Sequence, residues 1–160
     1  MIVRIVAVGR LRERYWQDAA ADFVRRLRPY ARLEILEVAE ARIKDPVSQA
    51  EEKKAMQEEG RAIIERLKGH SGPVVALDRL GKSLDSPQIG DWLNRMVLDG
   101  RTELAFVIGG PLGLAPEVLE RAEMSLSFSK MTFPHQMMRV ILLEQIYRGF
   151  RIMHGEPYHK

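Results

Sequence analysis

Apolar and polar positions along this chain switch between two periods, and the switches mark its elements. Met1 to Gly9 (MIVRIVAVG) is rich in β-branched residues and ends in glycine, which predicts a strand. Ala20, Phe23, Val24 and Leu27 recur at the helical spacing i, i+3, i+4, i+7, and Pro29 ends that helix. Leu33 to Val38 predicts a second strand. Ser48 to Lys68 is a long charged helix with a narrow apolar stripe of Met56, Ile63 and Leu67. Pro73 to Leu77 predicts a short buried strand. Ser86 and Pro87 read as an N-cap followed by proline at the first helical position. Ile89, Trp92, Leu93 and Met96 mark one face of that helix, and Gly100 ends it. Leu104 to Ile108 (LAFVI) is wholly apolar and belongs in a sheet centre. A glycine-rich loop and a short helix near Pro116 to Ala122 come next. Met124, Leu126 and Phe128 alternate with Ser125, Ser127 and Ser129, the period of a fifth strand. Pro134 opens a last helix that runs to about Met153, and Gly155 to Lys160 (GEPYHK) forms a tail.

Strands separated by helices imply an α/β fold, a mainly parallel sheet flanked by helices. A chain of 160 residues suits one domain, 1–160, around one core. Ligands of such sheets sit at the carboxyl ends of the strands, which singles out the loops after Leu77, Ile108 and Phe128. In the second loop, Gly109-Gly110-Pro111-Leu112-Gly113, glycines allow close backbone approach and leave N–H donors free. It is not a P-loop, since no Lys-Ser/Thr follows, and it departs from the dinucleotide fingerprint in spacing and place. A plain strand-to-helix turn accounts for it equally well. The third loop runs from Phe128 to His135, and N–H groups at the following helix start suit an adenine or a carboxylate. A simple connection capped by Thr132 is the plainer reading there. Leu77 stands where an apolar side chain covers a purine, or is an ordinary core leucine.

The last helix is apolar around most of its circumference, from Met137 and Met138 to Ile152 and Met153. Such a helix is buried, either between two subunits of a homodimer or in the core of a monomer. Its polar residues are Arg139, Glu144, Arg148 and Arg151. Glu144 and Arg148 are spaced to pair at i,i+4, while the arginines also suit an RNA phosphate groove. Tyr158, His159 and Lys160 combine an aromatic ring, an imidazole and a cation, a set able to clamp a flipped-out base, although free tails are commonly disordered.

Composition narrows the choices. The net charge of +3 and a pI near 9.3 tilt toward an anionic partner, nucleic acid above all. No cysteine is present, so disulfides and thiolate chemistry are excluded, in keeping with a reducing, cytoplasmic setting. No signal peptide is evident, and no uncharged run approaches the roughly 20 apolar residues of a membrane span. His70, His135, His154 and His159 show no metal-ligand spacing, so no metal is expected. No G-x-S-x-G element occurs.

The runs IGGPLGL, LSFSKMTFPHQMMRVILLEQIYRGFRI and GEPYHK closely resemble the RlmH-type ribosomal large-subunit methyltransferases of the SPOUT superfamily. The likeness is strongest over Phe106 to Lys160 and extends more loosely to IVAVGRL and VVALD. It implies a C-terminal trefoil knot, a homodimer, and S-adenosylmethionine (SAM) as methyl donor. The implied acceptor is N3 of a pseudouridine in the helix 69 loop of 23S rRNA, within the assembled ribosome. Matched residue by residue, the cofactor pocket would use Leu77, Gly109, Phe128, Ser129, Lys130, Met131, Thr132 and Phe133. N3 of a uracil ring must lose its proton, so a general base or an anion stabiliser is expected. His135, Tyr147 and His159 are candidates, with Arg139 or Arg148 to stabilise negative charge. Arg139, Arg148, Arg151, Tyr158, His159 and Lys160 are the candidate RNA contacts. Two rival classes are a non-catalytic RNA-binding assembly module and a small-molecule nucleotide enzyme on an ordinary doubly wound sheet.

Overall fold

The computed structural model describes residues 1–43 and 47–158. The candidates His159 and Lys160 lie outside the described residues. The elements follow the predicted order: β1 (Ile2–Val8), α1 (Arg14–Leu27), β2 (Arg32–Val38), α2 (Gln49–Arg66), β3 (Val74–Ser83), α3 (Ser86–Leu98), β4 (Glu103–Ile108), α4 (Pro116–Arg121), β5 (Met124–Ser127) and α5 (His135–Met153). The five strands form one parallel sheet in the order β2-β1-β4-β3-β5.

Alternation within each strand divides the core. Val3, Ile5 and Ala7 of β1, with Leu104, Phe106 and Ile108 of β4, face the layer of α1, α3 and α5. Val6 and Val8, with Ala105 and Val107, face α2 and α4. Both faces of β1 and β4 are therefore covered, which is why these strands read as unbroken apolar runs. The apolar circumference of α5 has a direct cause. The helix lies between α1 and α3 and buries Leu142, Leu143, Ile146, Tyr147 and Phe150 within one chain.

Three boundaries differ from the sequence reading. Asp85, not Ser86, caps α3: its side chain accepts the Gln88 N–H at 2.8 Å, and Gln88 Oε1 accepts the Asp85 N–H at 2.9 Å. This reciprocal box outcompetes a lone serine, and the Ser86 hydroxyl is free to donate to Gln145 Oε1 of α5 at 2.9 Å. Strand β5 stops at Ser127, so Phe128 already belongs to the following loop. Strand β3 runs on to Ser83, well past Leu77. Leu126 is the partner of both Leu77 and Lys82, so residues 78–81 swing out of register and the strand then rejoins β5. That excursion becomes one wall of the cleft described next.

Candidate active site

The three loops picked out by strand-end geometry converge on one cleft of about 380 Å³ at the carboxyl edge of β3, β4 and β5. That volume falls in the usual small-molecule range of about 300–1,000 Å³. The first wall is Leu77 with Asp78, Arg79 and Leu80; the second is Ile108 to Leu114; the third is Phe128, Ser129, Met131, Thr132 and Phe133, backed by His135 and Met138 at the start of α5.

The glycine loop is shaped by its own backbone. Gly113 donates to the Gly110 carbonyl at 3.0 Å, and the two residues form an isolated antiparallel bridge. Gly113 has φ +89°, a region that favours glycine. A Cβ on Gly109 would lie 2.6 Å from the Gly113 carbonyl oxygen, so no side chain fits there without reshaping the loop. The third loop is tied to the first: Ser127 Oγ lies 3.0 Å from the Arg79 carbonyl and 3.1 Å from that of Ser129. The Ser129 hydroxyl in turn accepts the Met131 N–H at 3.0 Å. Met131 and Leu80 stand exposed, 71% and 82%, at the cleft mouth. Exposed apolar side chains on two facing lips suit closure over an apolar or aromatic ligand.

Of the cofactor residues implied by the resemblance, Leu77, Gly109, Phe128, Ser129, Met131, Thr132 and Phe133 line this cleft, whereas Lys130 is exposed and outside its lining. Leu77, Phe128 and Met131 are suited to a purine face, and the glycine loop lets a ligand approach its backbone closely. The residues present therefore fit SAM.

The remaining candidates are scattered. His135 lines the cleft, with Nε2 at 4.0 Å from Glu40 Oε2. Arg139 is 2% exposed: it meets Glu37 at 2.6 Å and donates to the Gly9 carbonyl at 2.8 Å, tying α5 to the ends of β1 and β2. The structure thus puts this guanidinium in the core, away from any surface groove. Tyr147 is also buried, packed against the rings of Tyr30 and Tyr158. Arg148 pairs with Glu144 at 2.5 Å, as their spacing predicts, and lies over the Tyr158 ring at 4.7 Å.

The tail is folded back on its own helix. Arg151 pairs with Glu156 at 2.8 Å, and Tyr30 donates a hydrogen bond to the same carboxylate. Tyr158 donates to Glu144 at 3.3 Å. The Glu156 hydrogen bond pushes the Tyr30 phenol above its usual pKa, and burial followed by Glu144 does the same for Tyr158. Both phenols stay protonated donors at neutral pH.

Sequence reasoning singled out the loop after Leu77, continuing through Asp78, Arg79 and Leu80, but ended the strand there and missed that β3 resumes beyond it. Gly81 within the strand was the available signal of a bulge. It also missed Glu59 of α2, which is 5% exposed behind Gly110. The one hint is the adjoining Gly60, a glycine inside a helix. Among the described residues no group of three or more side chains able to hold a metal is gathered, and no helix is long and apolar enough to cross a membrane.

Comparison with known proteins places the chain. A family model described as "Predicted SPOUT methyltransferase" matches residues 1–159. The chain is 48% identical, over the full length of both proteins, to the ribosomal RNA large subunit methyltransferase H of Carboxydothermus hydrogenoformans. It is 46% identical, again over both full lengths, to a putative ribosomal RNA large subunit methyltransferase H of Methanococcus vannielii. The fold is similar to a probable methylase family protein from Haemophilus influenzae, at TM-score 0.56 and 14% identity over 99% of this chain and 70% of that one. It is likewise similar to a probable methyltransferase from Bordetella pertussis, at TM-score 0.54 and 14% identity over 92% and 95%. The chain belongs to the SPOUT methyltransferase family, among its RlmH-type members.

Proposed function

We propose that this protein transfers a methyl group from SAM to large-subunit ribosomal RNA. The proposed acceptor is N3 of a pseudouridine in the helix 69 loop of 23S rRNA in the assembled, cytoplasmic ribosome. The observation that carries the reading is the convergence of Leu77, Gly109 and the 128–133 loop on one cleft, in a chain 48% identical to a protein named for this class of reaction.

Leu77, Gly109, Phe128, Ser129, Met131, Thr132 and Phe133 would hold the cofactor, with Lys130 at the rim. Bound there, SAM supplies an electrophilic methyl on a sulfonium. The chain's own work is placement of the acceptor and removal of its proton. Of the candidate bases, His135 lines the cleft, Tyr147 is buried in the core, and His159 lies outside the described residues. His135 is therefore the proposed base. Glu40 Oε2 lies 4.0 Å from its Nε2.

The proposal includes a homodimer and the family's trefoil knot. Its support is a distance along α5. His135 stands at the cleft and Met153 at the tail, 18 residues on, about 27 Å at helical rise. The described part of the tail docks back on Glu144, nine residues along α5 from His135 and about 14 Å at helical rise, so a chain's own Tyr158 is held short of its own cleft. Met137 and Ile141 are half-buried and outside both core clusters, and they share a helix face with Glu144 and Arg148. A second copy packed antiparallel on that face would bring its tail, with Tyr158, His159 and Lys160, to the first copy's cleft. Arg148 and Arg151 would then face RNA from the same side.

The test is tritiated methyl transfer to 70S ribosomes lacking the modification, against free rRNA. Incorporation into ribosomes, mapped to N3 of the helix 69 pseudouridine, is expected. SAM binding without incorporation would overturn the reading.

A further inference from the structure

Helix α2 carries five glutamates, at 51, 52, 58, 59 and 65, and Glu59 is the buried one. Glu59 Oε1 accepts the Ala41 N–H at 2.9 Å, while Oε2 has no hydrogen-bond partner. A carboxyl in that state lowers stability, and a leucine would fill the space without the penalty. Its location offers a reason to keep it. A Cβ built on Gly110 would fall 3.0 Å from Glu59 Oε2 and 3.3 Å from Oε1, so the carboxyl lies directly behind the glycine loop. At the next residue, a Cβ on Gly60 would fall 2.6 Å from Ala115 Cβ. Glu59 and Gly60 together press α2 against the loop at its start and just beyond its end.

We propose that Glu59 is a positioning residue for the cofactor loop, its unpaired oxygen orienting the loop's peptide groups from behind so that their N–H donors face the cleft. As a neutral acid, Oε2 carries a proton and favours carbonyls on the back of the loop, leaving the N–H groups in front. As a carboxylate it would draw N–H groups backward. Burial, opposed by the Ala41 hydrogen bond and aided by Glu40, pushes the Glu59 pKa up, toward the useful form. The charged and titratable groups around it are Glu40, His135 at 4.0 Å beyond Glu40, and Glu117 of α4 beside Gly60. A Lys or Arg near Glu59 would hold it ionised, and neither is among these groups.

This inference rests on the cleft being the SAM site. The experiment is SAM titration by calorimetry across pH on wild-type protein, Glu59→Gln and Glu59→Leu, with folding followed by near-UV circular dichroism. Wild-type affinity should fall as pH rises through the raised Glu59 pKa. Glu59→Gln, which keeps a neutral donor, should bind about as tightly at low pH and lose that component of the pH dependence. Glu59→Leu should bind about tenfold more weakly while remaining folded, because the donor is lost but the core is filled. Stability supplies a second readout. The folded state retains a proton that the unfolded chain gives up near 4.5, so wild-type stability relative to Glu59→Gln should decline as pH rises above that value. Wild-type-like binding by Glu59→Leu, or an unchanged pH slope in Glu59→Gln, would overturn the inference and leave the cleft reading intact. No SAM binding by wild type would overturn both.

Discussion

The two ends of α5 solve opposite problems. At the His135 end the helix meets the glycine loop and the 128–133 loop around an open cleft with apolar side chains at its mouth. At the Met153 end the chain closes on itself: Glu156 is taken up by Arg151 and Tyr30, and Tyr158 by Glu144 beside Arg148. One end keeps its bonding capacity for a ligand, and the other spends it on docking a tail. A helix of 19 residues spaces them: its far end is about 27 Å from His135, and even Tyr158, docked back on Glu144, is about 14 Å along the helix from it.

That contrast can be broken from either side. The largest effect is expected for Arg139→Ala, which removes the strut joining α5 to β1 and β2. Glu37 is 37% exposed and regains water, so the cost should be about 3 kcal/mol rather than the upper end for buried pairs. Urea denaturation reads it, and a loss under about 1 kcal/mol would deny Arg139 that role. Gly109→Val comes next. Its side chain drives into the Gly113 carbonyl and crowds the cleft, so SAM affinity by calorimetry should weaken by at least about 100-fold, roughly 2.7 kcal/mol. Unchanged affinity would remove Gly109 from the site.

Deleting the chain from Tyr158 onward tests the closed end. SAM binding should survive, while methylation of ribosomes falls by about tenfold or more, about 1.4 kcal/mol in the barrier. Mixed dimers sharpen the point: Gly109→Val copies combined with tail-deleted copies should regain activity, since one intact cleft then meets one intact partner tail. No recovery after verified subunit exchange would place each tail with its own chain. The smallest effect belongs to Tyr30→Phe, which deletes one hydrogen bond to Glu156 and should cost about 1 kcal/mol with SAM affinity unchanged. A shift in affinity would mean that the two ends communicate.

Much of this was legible in the residues. The uninterrupted LAFVI run marks a doubly covered strand, and Val3, Ile5 and Ala7 against Val6 and Val8 divide the two faces. The three loops follow from the rule that strand ends hold ligands. Polar side chains were harder to place. Arg139 and Arg148 look alike in the α5 sequence, yet one is a buried strut and the other lies in the Glu144–Tyr158 cluster. Which face a helix presents depends on its neighbours, and those are contributed here by α1 and α3.

The sequence by itself determined the α/β order, the parallel sheet, the glycine loop and the basic character, because period, propensity and charge are local properties. Only the tertiary structure decided that residues 78–80 wall the cleft before β3 resumes, that His135 alone among the described base candidates reaches the cleft, and that the tail docks back along α5 onto Glu144. Those outcomes depend on contacts between residues far apart in the chain, such as Glu59 with Gly110 and Arg139 with Gly9. No local pattern encodes a contact whose two halves are separated by about fifty residues or more.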